Sequence, residues 1–104
     1  MQVNWENREN TMYIYLNGEL DHHAAHVVLK QIGEAIDADL PMRCLVNFSG
    51  VAFMDSSGIA VILGINRRVT AYGGKLNVTN IPKQASRVLH AAGIDKLVPM
   101  VIEG

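Results

Sequence analysis

The chain has 104 residues, 49% hydrophobic and 18% charged, and nine basic residues against ten acidic give it a formal net charge of −1. That length fits one domain, the composition is globular rather than disordered, and the charge balance excludes a general attraction to nucleic acid or to an anionic membrane. The longest apolar run, Ile59 to Ile65, falls far short of the roughly 20 residues a bilayer crossing needs, and a lone cysteine, Cys44, excludes an internal disulfide.

The N-terminal MQVNWENREN carries charge where a signal peptide has an apolar run, so a reducing cytoplasm is the expected location. No linker, repeat or low-complexity tract interrupts the chain, and residues 1–104 read as one unit. Residues 3–8 and 11–17 alternate as strands, the second with Met12, Ile14 and Leu16 on one face and Tyr13 and Tyr15 on the other, and Glu9-Asn10 between them suggests an antiparallel hairpin. Residues 24–37 turn helical, with Ala25, Val28, Leu29, Ile32 and Ile36 in one stripe; Gly33 weakens the helix by roughly 1 kcal/mol without ending it. After Pro41, residues 43–48 read as a strand with Cys44, Val46 and Phe48 on one side and Leu45 on the other, buried on both faces.

A second helix from about Ser57 to Tyr72 follows a Ser-rich turn and stops at Gly73-Gly74. Residues 75–79 form a strand, Pro82 to Ala92 a helix ended by Gly93, and 98–102 a final strand. Strands alternating with helices imply an α/β fold: a single mixed, mostly parallel sheet with an antiparallel N-terminal strand and helices packed on it.

In such a sheet, chemistry gathers where strand carboxyl ends meet helix N-termini, and Asp55-Ser56-Ser57-Gly58 falls at such a junction. Ser or Asp before a helix serves as an N-cap worth about 1 kcal/mol, which by itself accounts for residues of this type. The same geometry accommodates charge chemistry, since a phosphate on Ser56 would sit at the positive end of the helix dipole facing N–H donors. Spacing alone does not separate the two readings.

Two motifs together carry a resemblance. Gly18-Glu19-Leu20-Asp21-His22-His23 after the second strand, and Phe53-Met54-Asp55-Ser56-Ser57-Gly58 before the second helix, resemble the anti-sigma factor antagonist branch of the STAS family, and within it the sporulation anti-sigma F antagonists. The similarity runs from about Met12 to Val101, taking in 59–66 and Ala92-Gly93-Ile94. It implies that the first serine of the turn, Ser56, is the phosphoacceptor, with Ser57 the weaker candidate. It implies a partner that is both anti-sigma factor and serine protein kinase, carrying its own ATP and Mg²⁺, and a serine phosphatase that resets the residue. This chain is then a substrate rather than an enzyme, and holds no cofactor. The chain stops at Glu103-Gly104, directly after the last predicted strand, where members of that branch continue into a further helix.

For the partner surface the candidates are Asp21, His22, Asp55, Ser57, Gly58 and the pair Ile59 and Ile62. The helix beginning there is apolar all round, and the two isoleucines, about one turn apart, are expected to stay partly exposed beside Ser56. Capping accounts equally well for Asp21. His22 and His26 are four apart and could share a helical face, but a third metal ligand is missing, so no metal site is expected. Adjacent Asp21 and His22 are poorly placed for a hydrolase triad, and Gly73-Gly74-Lys75 lacks the spacing of a phosphate-binding loop. Cys44, mid-strand among apolar residues, reads as a buried thiol. Two rivals stand beside the switch reading. One is a receiver-like domain phosphorylated on Asp55, for which only Glu19 and Asp21 could help bind Mg²⁺. The other is a STAS module that scaffolds a complex or binds a small ligand.

Overall fold

Side-chain alternation builds one side of a sheet into a core. Met12, Ile14 and Leu16 are buried on the second strand, Cys44, Val46 and Phe48 on the third, and Leu76 and Val78 on the fourth. In this computed structural model, which describes residues 1–102, the order is β1 (Gln2–Arg8), β2 (Thr11–Leu20), α1 (His22–Asp39), β3 (Arg43–Met54), α2 (Ser57–Thr70), β4 (Lys75–Ile81), α3 (Lys83–Ala91), a short 3-10 helix (Ile94–Lys96) and β5 (Met100–Ile102). The end of the chain at Glu103-Gly104 lies outside the described residues. The five strands lie in sequence order, β1 antiparallel to β2 and the rest parallel, which is the mixed sheet expected. Stepping to the adjacent strand by right-handed crossovers puts successive helices on the same face. The burial pattern agrees, because α1 contributes Ala25, Val28, Ile32 and Ile36 and α2 contributes Val61, Ile62, Ile65 and Val69 to a single apolar cluster with the strands.

The hairpin at Glu9-Asn10 forms as expected, with both residues at positive φ (50° and 67°), the conformation a tight two-residue connection between twisted strands needs. Elsewhere the ends move. α1 begins two residues earlier than its stripe suggests, because Asp21 caps it, and β5 begins two residues later, because Ile94–Lys96 takes up a 3-10 turn. α2 ends at Thr70 rather than Tyr72.

Two expectations are corrected. β3 does not stop at Phe48 but runs on to Met54, so Phe53-Met54 is strand rather than loop. Its second face is not buried either: Leu45 and Asn47 are half-buried and Ser49 is exposed, since among the described residues no helix covers that side of the sheet. Cys44 is buried, and burial pushes its thiol up to about 11, far from a reactive thiolate near neutral pH. Among the described residues no helix is long and apolar enough to cross a membrane.

Candidate functional site

The carboxyl ends of β2 and β3 lie side by side, with Leu20 opposite Met54 in the parallel register. Each strand gives way at once to an aspartate and then a helix, Leu20-Asp21 into α1 and Met54-Asp55 into α2. The two loops therefore emerge together, and the Asp55 N–H reaches back toward the Leu20 carbonyl at 3.4 Å. This register brings Asp21 to the same sheet edge as the Ser56 turn.

At α1, Asp21 is the N-cap in an extended conformation, and its Oδ1 accepts from the Ala24 N–H at 2.9 Å. At α2 the cap is displaced by one residue. Asp55 Oδ1 accepts from the Ser57 N–H at 2.7 Å, while Ser56 occupies the cap position in helical conformation (φ −62°, ψ −17°) with no capping bond from its side chain. The Ser56 side chain is exposed. A serine standing first at a helix, relieved of capping and open to solvent, is sterically accessible to a transferring enzyme.

One expectation about that phosphate needs correction. Free N–H donors are few, because Ser57 N–H is held by Asp55, Gly58 N–H by the Asp55 carbonyl at 3.1 Å, and Ile59 N–H by the Ser56 carbonyl at 3.1 Å. A phosphate on Ser56 would feel the helix dipole but find its nearest donors engaged, with the Asp55 carboxylate beside it.

The other candidates divide. Ser57 and Asp55 are half-buried, His22 is exposed, and His22, Ala25, His26, Leu29, Ser57 and Ala60 line a groove of about 190 Å³ between the first turns of α1 and α2. The His22 and His26 rings meet edge to face with centroids 5.0 Å apart, and among the described residues no third His, Cys, Asp or Glu joins them. Gly58 is buried, and its role is packing: a Cβ there would lie 2.3 Å from Met54 Sδ and 3.2 Å from Leu20 Cδ2. Ile59 is half-buried at the rim of the core. Ile62 is only 1% exposed, so the expected pair of surface isoleucines reduces to Ile59 alone. An all-round apolar helix is covered here by α1 on one side and the sheet on the other, and the inward face of α2 takes Ile62.

Two residues at this end escaped the sequence reading. Phe53 is 45% exposed one position before Met54, an apolar side chain left at the surface near Ser56. Gln84 reaches from α3 to the backbone of Met54. For Phe53 the signal was present in the motif, but alternation could not reveal its exposure while β3 was thought to end at Phe48. For Gln84 no local pattern exists, since its partner lies thirty residues away.

Over residues 2–102 the chain matches the model of the STAS domain, and it belongs to that family. Among curated relatives, the anti-sigma F factor antagonist of Paenibacillus polymyxa is 32% identical over 100 residues, covering 96% of this chain and 86% of that protein. Among solved structures, the anti-sigma factor antagonist SpoIIAA in its unphosphorylated form superposes with a TM-score of 0.83 at 30% identity, covering 95% of this chain and 87% of that one. The phosphorylated form of the Bacillus cell fate determinant SpoIIAA gives 0.75 at 30% identity, covering 95% and 90%.

Proposed function

We propose that this chain is an anti-sigma factor antagonist, regulated by phosphorylation of Ser56. Unmodified, it docks on an anti-sigma factor through the surface around Ser56 and displaces the sigma factor; phosphorylated, it does not dock. Support comes from the relatives' names, from SpoIIAA being known in both phosphorylation states, and above all from one local observation. Ser56 stands exposed at the start of α2 while Asp55 does the capping. The partner is inferred to be a serine kinase as well as an anti-sigma factor, with ATP and Mg²⁺ bound to itself, and a serine phosphatase restores the hydroxyl. In this scheme the chain is a substrate and performs no catalysis.

The energetics are adequate for a switch without refolding. A phosphoryl group adds about −1.5 to −2 charges at neutral pH, and an unpaired buried charge costs several kcal/mol. Moving a two-state equilibrium from 1:99 to 99:1 takes about 5.5 kcal/mol. Because the N–H groups next to Ser56 already have partners, the phosphate gains little from them, and its charge would have to be desolvated on docking. Ile59 is half-buried and Phe53 exposed, each three residues from the serine in sequence, so both leave apolar surface for a partner to cover. A receiver-like reading is less favoured, since the Asp55 carboxylate is engaged with the Ser57 N–H.

The test compares Ser56→Ala with the native chain, using the cognate kinase and ATP. Ser56→Ala should bind the anti-sigma factor about as well as the native chain and take up no phosphate. Undiminished uptake by Ser56→Ala would refute the assignment.

A further inference from the structure

The strand that delivers Ser56 lacks a strand neighbour on one side where it matters most. β3 pairs with β4 only from Arg43 to Asn47, whereas its pairing with β2 continues to Met54. Beyond Asn47 the β4 edge of β3 has no peptide ladder, yet Met54 is the last strand residue before Asp55-Ser56. Its backbone is not left open. The Met54 N–H donates to Gln84 Oε1 at 2.8 Å, and Gln84 Nε2 donates to the Met54 carbonyl at 2.8 Å. A carboxamide has the donor and acceptor of a peptide group, and here it meets one residue with both, as an adjoining strand would.

We propose that Gln84 is a positioning residue for the phosphoacceptor turn, fixing the end of β3 so that Asp55 and Ser56 leave the sheet in a single geometry. Three contacts pin that exit. β2 holds it through the Leu20–Met54 register, the fully buried Met54 side chain packs where Gly58 leaves no room for a Cβ, and Gln84 clamps the free edge from α3. The first two are local to the motif; the third comes from a different helix, and ties α3 to the turn. Gln84 lies in the first turn of α3, whose chain Pro82 feeds in at φ −64° and ψ 158°, and its side chain is half-buried, so solvent competes poorly for either bond. The consequence for phosphate transfer rests on the Ser56 reading above; the ordering of the turn does not.

Amide hydrogen exchange followed by NMR on the full chain tests the clamp, with Gln84→Ala and the similarly sized Gln84→Met, which fills the space but makes neither bond. Both should speed exchange of the Met54 N–H by about tenfold, a net loss typical of one or two hydrogen bonds, and leave Ile14 and Val46 in the central strands unchanged. In parallel, kcat/KM for phosphate transfer to Ser56 from the anti-sigma kinase should fall by a similar factor, while Gln84→Glu, which keeps an acceptor for the Met54 N–H but sets an anion against the Met54 carbonyl, falls between. Unchanged Met54 exchange in both variants overturns the clamp, and so does an equal rise across the whole sheet, which would make Gln84 a general stabiliser. Faster Met54 exchange with an unaltered transfer rate overturns the positioning role. If the native chain takes no phosphate at Ser56, the phosphoacceptor reading fails and exchange alone decides the clamp.

Discussion

The starts of α1 and α2 are neighbours with almost the same grammar, yet they behave differently. Both follow an aspartate at the end of a parallel strand, Asp21-His22-His23-Ala24 in one and Asp55-Ser56-Ser57-Gly58 in the other. In the first, the aspartate is itself the cap and bonds the Ala24 N–H three residues on. In the second, the aspartate sits one residue earlier and bonds the Ser57 N–H two residues on, so a serine enters the cap position with its hydroxyl uncommitted. A shift of one residue leaves a serine hydroxyl free of capping at the position where α1 has a bonded carboxylate. The fourth residue differs too. Ala24 has room for its methyl group, whereas Gly58 must let α2 come down on Met54.

That contrast can be broken at several points. The largest effect belongs to the inward face of α2: Ile62→Ala should cost about 2–5 kcal/mol in urea unfolding, as a fully buried isoleucine does. Ile59→Ala should cost less stability but weaken anti-sigma binding by more than about 1 kcal/mol by titration calorimetry, as expected of a surface anchor. If both variants lost only stability, Ile59 would join Ile62 in the core. Next comes Gly58→Ala, which forces a methyl group against the buried Met54 chain and should cost about 1–3 kcal/mol by the same urea measurement.

The caps themselves give a sharper comparison. Asp21→Ala and Asp55→Ala should each lower stability by about 1 kcal/mol. Only Asp55→Ala should also change the rate at which Ser56 takes up phosphate, read by radiolabel incorporation under single-turnover conditions. Equal effects on both rates would mean that the turn is not distinguished by its cap. The smallest effect lies at the far end of α3, where His90 Nδ1 and Asp95 Oδ2 pair at 2.8 Å on the surface. The bond to His90 holds the Asp95 carboxyl below its usual range. Its pairing therefore supports the fold above the unfolded carboxylate pKa and is lost as pH falls through the lower folded value. Solvent screens this exposed pair, so Asp95→Asn should alter the acid limb of the stability–pH curve only slightly and leave Ser56 phosphorylation unchanged.

Periodicity was enough to place β2, α1 and the core face of β3, because those segments bury one side and expose the other. It shortened β3, because Ser49-Gly50 breaks alternation and nothing local shows that β2 keeps pairing as far as Met54. The burial of Ile62 was hidden for a related reason: an all-apolar helix gives no direction, and only the packing of α1 against α2 assigns its faces. At the site, the turn residues were legible from their motif, whereas the division of labour between Asp55 and Ser56 was not. Which of two adjacent polar residues caps depends on backbone dihedrals that neighbouring strands impose. Gln84 was invisible for the simplest reason, since a contact between α3 and β3 exists only once the sheet has formed.

The measurement that bears most directly on the account is tandem mass spectrometry of the intact chain after incubation with its anti-sigma kinase and ATP, sampled in acid and paired with a binding assay on the product. A single acid-stable phosphate on Ser56 and loss of anti-sigma binding are predicted. Phosphate on Ser57, a hydroxylamine-labile phosphate on Asp55, or a Ser56-phosphorylated form that binds as tightly as the unmodified chain would contradict it.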